Sequence, residues 1–161
     1  MDNMSSLENK TKSSELKNFM SSKHTFVTSN KEKMALPINI ESLLSGSAVE
    51  SNQLEYKEGW NPNTIYRSIC AFANDFEDTG GGYIIVGVNE EHGHAVRPVL
   101  GVNPDSIEQI ERDMVGYNNL IRPYYQLRLF IEEVDGKTIL VIKVTAGERR
   151  PYKVPDRITA K

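Results

Sequence analysis

The sequence predicts an α+β fold: a single compact domain in which helices pack on a mixed β-sheet. Three observations carry this. Two Asn-Pro pairs, Asn61-Pro62 and Asn103-Pro104, each open a segment whose apolar residues recur at helical spacing. Tyr83 to Val88, "YIIVGV", is a nearly continuous apolar run, the mark of an inner strand buried on both faces. Asp135-Gly136 separates two strand-like runs and is the strongest short hairpin signal in the chain. The resulting order is helix, strand, helix, strand, helix, strand, strand.

Residues 1–35 are rich in Ser, Lys, Asn and Met without a sustained apolar period, so they read as a flexible tail, and the domain is expected over 36–161. In "ALPINIESLLSG", Ile38, Ile40, Leu43 and Leu44 line one face of a short helix closed by Gly46. A strand follows around Leu54. With period two, Leu54 and Tyr56 point to the core, while Gln53, Glu55 and Lys57 point to the other face. Asn61 and Pro62 then open a helix striped by Ile65, Ile69, Phe72 and Phe76.

Gly80 to Gly82 lead into the inner strand, and the polar run "NEEHGHAVRPVLGV" after it holds at most a short strand. The second Asn-Pro helix buries Ile107, Ile110, Met114, Tyr117 and Ile121 and ends at Arg122-Pro123. The hairpin closes the sheet. The last residues, "RITAK", become extended just as the chain stops, the pattern expected of a domain followed by further C-terminal domains.

No run of eighteen apolar residues and no apolar signal block occurs, so the expectation is a cytoplasmic protein without a membrane span. Cys70 is the only cysteine, which excludes an internal disulfide and a cysteine-rich zinc cluster; it reads as a small core residue. His92 and His94 lie in the polar loop without the further ligands a zinc site needs. Gly80 to Gly82 precede a strand, whereas phosphate-cradling glycines follow one and open a helix, so they serve a tight turn and close backbone approach.

The net charge of −3 argues against nonspecific coating of nucleic acid, which needs many exposed cations. The charge is uneven. From Lys143 to the end, six cations face only Glu148 and Asp156. Lys57, Arg149, Arg150 and Lys153 are the candidate phosphate contacts. Among the acids, Glu50, Glu55 and Glu90 would converge at one sheet edge if the strands of Glu55 and Val88 are neighbours. That oxygen set suits Mg²⁺ or Mn²⁺, with Lys57 beside it to offset charge developing on a phosphodiester. Ordinary solvated or paired strand charges fit the same spacing.

Together "ESNQLEYKEGW", "ICAFAND", "GGGYIIVGV", "NEEHGHAVRPVLGV" and the late "ERRPYKV" resemble the Schlafen AlbA-like DNA-binding domain family over residues 36–161. The resemblance implies either of two functions. Bacterial members are N-terminal modules of ATP-binding, transcriptional-regulator-like proteins and are taken as DNA binders. Animal members are metal-dependent nucleases that cleave structured RNA with three acids, which fall here on Glu50, Glu55 and Glu90, with Lys57 alongside. Asn89-Glu90 stands where that pattern favours an Asp-Asp pair. The animal enzymes also use a duplicated lobe, for which a homodimer would substitute here. A nucleic-acid-binding module of a regulator is thus the first expectation, a Mg²⁺- or Mn²⁺-dependent endoribonuclease the second, and a protein-interaction or sensory domain the third.

Overall fold

The computed structural model describes residues 35–46 and 53–158. Most of the expected tail, and Glu50, lie outside the described residues. The elements are α1 (Ile40–Leu44), β1 (Leu54–Lys57), α2 (Pro62–Asn74), β2 (Gly81–Val86), β3 (Glu90–Glu91), β4 (His94–Ala95), α3 (Ile107–Asn118), β5 (Arg128–Val134) and β6 (Lys137–Thr145). A 3₁₀ turn, Pro104–Ser106, leads into α3. The predicted order holds, with one addition and one shortening: α2 ends at Asn74, where Asp75 turns left-handed, so Phe76 stands 86% exposed instead of joining the helix's apolar stripe. The polar loop after β2 folds as the small β3–β4 hairpin, because His92 (φ 54°) and Gly93 (φ 82°) both take the left-handed conformation that a two-residue turn requires.

The helix starts follow local chemistry. The Asn39 side chain accepts from the Glu41 and Ser42 amides, and Asn61 accepts from Asn63 and Thr64 ahead of Pro62. Asp135 (φ 53°) and Gly136 (φ 69°) make the β5–β6 turn. The four-stranded sheet has the order β1-β2-β6-β5, with β1 parallel to β2 and the other pairs antiparallel. It is therefore mixed, as expected. β2 lies inside it, paired on both sides.

Both faces of the sheet are covered. On one, Ile84, Val86, Leu140 and Ile142 pack with Ile65, Tyr66 and Ile69 of α2 and Ile110, Met114 and Tyr117 of α3. On the other, Tyr56, Ile85, Phe130, Ile139 and Val141 pack with Leu43 and Leu44 of α1. Burial of these apolar side chains, at about 25 cal/mol per Å² of apolar surface, is what holds the layers together. Cys70 is buried in the first cluster, as expected.

Glu55 and Lys57 are register partners of Ile84 and Val86, so they face the α2 layer rather than open solvent. They remain half-buried on β1, an edge strand. The glycines of "TGGGY" serve contact. Gly81 sits at φ 98°, and a Cβ on it would press into the Val144 carbonyl oxygen and come 2.9 Å from the Ala146 nitrogen. Among the described residues no helix is long and apolar enough to cross a membrane.

Candidate nucleic-acid interface

β1 sets the first group. The Lys57 ammonium pairs with the Glu55 carboxylate two residues earlier on the same strand face. Their side chains are 21% and 34% exposed, so the pair is worth at most about 1 kcal/mol. The Lys57 carbonyl accepts from both Gly87 (2.8 Å) and Val88 (3.1 Å), which fixes the end of β1 against the exit of β2. The strands of Glu55 and Val88 are thus neighbours.

Glu90 opens β3 and is exposed; its amide donates to the Asn89 side chain at 2.8 Å. Its charge reaches Tyr56. Burial first, and then the Glu90 carboxylate, hold the Tyr56 phenol above its ordinary pKa, while its hydroxyl donates to the Leu43 carbonyl at 3.1 Å. Tyr56 points to the face opposite Glu55. Among the described residues no three His, Cys, Asp or Glu side chains come together as metal ligands. A set of Glu50, Glu55 and Glu90 rests on a residue outside that part of the chain.

The second group lies on residues 147–153, which wrap the C-terminal end of α2. Asn74, 8% exposed, anchors them: its amide donates to the Tyr152 carbonyl (2.9 Å), and its oxygen accepts from the Tyr152 amide (2.6 Å). Gly147 donates to the Ala73 carbonyl (2.8 Å). The Arg150 guanidinium donates to the Asn74 and Asp75 carbonyls, both at 3.1 Å, and to that of Gly147 at 3.0 Å. A cation at the carbonyl end of a helix is favourable. Arg150 is therefore committed to the fold, whereas Arg149 and Lys153 are exposed and make no side-chain ion pair among the described residues.

The structure adds a cation that the sequence reading passed over as a helix end. Arg122 and Lys153 form an antiparallel bridge, each amide donating to the other's carbonyl at 2.9 Å. Their side chains therefore stand side by side. The Arg122 guanidinium leans on the Asn119 and Ile121 carbonyls at the end of α3. Like charges directly opposed across a bridge are unfavourable without a counter-charge. No local sequence signal pairs residues 31 positions apart; only the two Pro-flanked extended segments, "RPYY" and "PYKVP", hint at it.

The Asn74-Asp75 dipeptide is structural. Asp75 takes φ 44° after α2, and its carboxylate accepts from the Thr79 amide and hydroxyl (2.8 and 2.9 Å) and the Gly80 amide (3.0 Å). Burial pushes its pKa up, but these donors outweigh it and hold it below the ordinary value.

Among solved structures, the chain is similar to the DIP2311 protein from Corynebacterium diphtheriae, at 22% identity and TM-score 0.46 over 71% of this chain. It spans only 22% of that protein's length. It is also similar to the N-terminal domain, solved by NMR in solution, of a Nitrosomonas europaea protein named for its relation to the ATP-dependent DNA helicase RecG. There the identity is 20% and the TM-score 0.52, over 72% of this chain and 78% of that one. That likeness concerns the fold. No curated protein matches. The family model described as Schlafen, AlbA_2 matches residues 50–160, more than half the chain, and with the mixed sheet and its helices this places the chain in the Schlafen AlbA_2 family.

Proposed function

We propose that this domain is a nucleic-acid-binding module of a transcriptional-regulator-like protein, acting in the cytoplasm on DNA. Its phosphate contacts are Arg149, Lys153 and Arg122. The observation that carries the reading is the Arg122–Lys153 bridge: two cations held side by side, with Arg149 on the adjoining loop and no carboxylate paired to them among the described residues. A phosphate seated between the two side chains removes their repulsion and gains charge-assisted hydrogen bonds. Family membership supports the same reading. So does the name of the Nitrosomonas protein, which refers to a DNA helicase. Arg122 gives only its Nη1 to the carbonyls at the end of α3, which leaves Nε and Nη2 for a phosphate. Of the other nominated cations, Lys57 is paired with Glu55, and Arg150 is held on three carbonyls through both Nε and Nη1.

Fluorescence anisotropy with a labelled duplex across about 50–200 mM salt tests this. Arg149→Gln and Lys153→Gln should each flatten the slope of log affinity against log salt by about 0.9, on any duplex sequence. Unchanged slopes in the double variant would refute the assignment.

A second reading is the Mg²⁺- or Mn²⁺-dependent endoribonuclease. The Glu55–Lys57 pair favours it, with Glu90 two residues beyond Val88, whose amide the Lys57 carbonyl holds at the end of β1. The proposed ligands are Glu50, Glu55 and Glu90. Mn²⁺-dependent cleavage of structured RNA, absent with EDTA and in Glu55→Gln, is the expected signature. Cleavage that survives in Glu55→Gln excludes that site. Absence of both binding and cleavage would turn attention to a protein partner.

A further inference from the structure

The sheet register sets out a second cationic row, away from the residues used above. Leu54 of β1 partners Tyr83 of β2, Tyr83 partners Lys143 of β6, and Lys143 partners Arg128 of β5. Register partners share a face, so these four side chains form one line across all four strands. They stand at the end of the face whose middle α1 covers, one pleat beyond the row Tyr56, Ile85, Val141 and Phe130. Arg128 is exposed, and Lys143 and Tyr83 are half-buried. The Lys143 ammonium lies 5.9 Å from the centre of the Tyr83 ring.

One feature of this line lacks an explanation in the fold, and a second bears on what could occupy it. Lys143 and Arg128 are like charges directly opposed on neighbouring strands, a pairing that weakens a sheet. Neither makes an ion pair among the described residues. The next acid on this face of β5, Glu132, is four residues along, about 13 Å at the rise of a strand. The second feature is the aromatic ring in register with the cations: Tyr83 to Arg128 spans two strand spacings, about 10 Å.

We infer that this row is a platform for single-stranded nucleic acid, with Arg128 and Lys143 on successive phosphates and the Tyr83 ring against a base. The inference rests on the nucleic-acid reading above and deepens it by naming the class of strand and a separate surface. A duplex keeps its bases stacked inside and offers nothing to an aromatic ring on a flat sheet, whereas an unpaired base stacks on it. The occupant is a polyanion because it removes the Lys143–Arg128 repulsion. It is a nucleic acid rather than an acidic peptide because the third member of the row is a ring.

The test is anisotropy of a labelled oligothymidylate of about 15 nucleotides with the full chain, against a salt series. Arg128→Glu turns the like-charge pair into an opposite-charge pair, so its thermal stability should hold or rise while binding falls. Lys143→Gln should flatten the salt slope by about 0.7, the value for one phosphate contact on a single strand. Tyr83→Leu should lower affinity roughly tenfold with the slope unchanged, and Tyr83→Phe, which keeps the ring, should bind normally. A Tyr83→Leu protein that unfolds early leaves the Arg128→Glu and Lys143→Gln results to decide.

Wild-type affinity and slope in both cation variants would overturn the inference. So would equal competition by polyglutamate together with an indifferent Tyr83→Leu. If duplex binding responds to Arg149 and Lys153 while this row has no effect, only the platform fails. If no nucleic acid of any kind binds at about 20 mM salt, where phosphate contacts are strongest, the underlying reading fails with it.

Discussion

Asn74→Ala should destabilise the domain and disarm its cationic loop together. The amide of Asn74 makes two hydrogen bonds to one residue, donating to the Tyr152 carbonyl and accepting from the Tyr152 amide. Both residues are buried, at 8% and 6% exposure, so water does not replace what is lost unless the loop opens. An orphaned buried backbone group costs about 1–3 kcal/mol, and two are created; partial relaxation brings the expected loss to about 2–4 kcal/mol. That is a large fraction of the roughly 5–15 kcal/mol that holds a domain together. Urea unfolding at fixed pH reads it as a lower midpoint with an unchanged m-value. Asn74→Asp keeps the acceptor but loses the donor and sets a carboxylate against the Tyr152 carbonyl oxygen, so it should not rescue. Because residues 147–153 carry Arg149 and Lys153, duplex affinity should fall in Asn74→Ala even where the protein is folded. A midpoint shift worth less than about 0.5 kcal/mol would show that the clip is not what holds the loop.

Other consequences follow from the same contacts. Asp135 is held below the ordinary carboxylate value first by the Arg97 guanidinium and then by the Val99 amide, and Asp75 is also lowered. Groups with depressed folded pKa values contribute stability that is complete above the unfolded value and is lost as pH falls through the folded one. Urea midpoints should therefore drop as pH falls below about 4, and Asp135→Asn should flatten that acid limb. Burial pushes the Cys70 thiol up to about 11, so native protein at pH 8 should react with a thiol reagent far more slowly than unfolded protein. Gly81→Ala meets both a φ of 98° and the Val144 carbonyl, and should cost about 3 kcal/mol or more. Gly136→Ala, with open space around its added Cβ, should cost about 1 kcal/mol by urea unfolding.

Arg97 shows where reading the chain alone reaches its limit. It donates to Glu41 of α1 and to Asp135 in the β5–β6 turn, tying together residues 56 and 38 positions away. In the sequence it is an arginine before a proline in a polar loop.

The sequence by itself determined the elements whose causes lie within a few residues. The Asn-Pro helix starts, the Asp-Gly turn, the buried strand at Tyr83 and the core role of Cys70 all depend on backbone preference, local capping or apolar period. Each of these acts at short range along the chain. The recurring motifs also carried the family. Only the tertiary structure decided the parallel pairing of β1 with β2, the turning of Glu55 and Lys57 toward the α2 layer, and the capture of Arg150 by helix carbonyls. It alone set Arg122 beside Lys153 and lined up Tyr83, Lys143 and Arg128. A charge has no partner until the chain is folded. Its partner is chosen by strand order and register, which arise from burying both faces of the sheet at once and are written in no single stretch of residues.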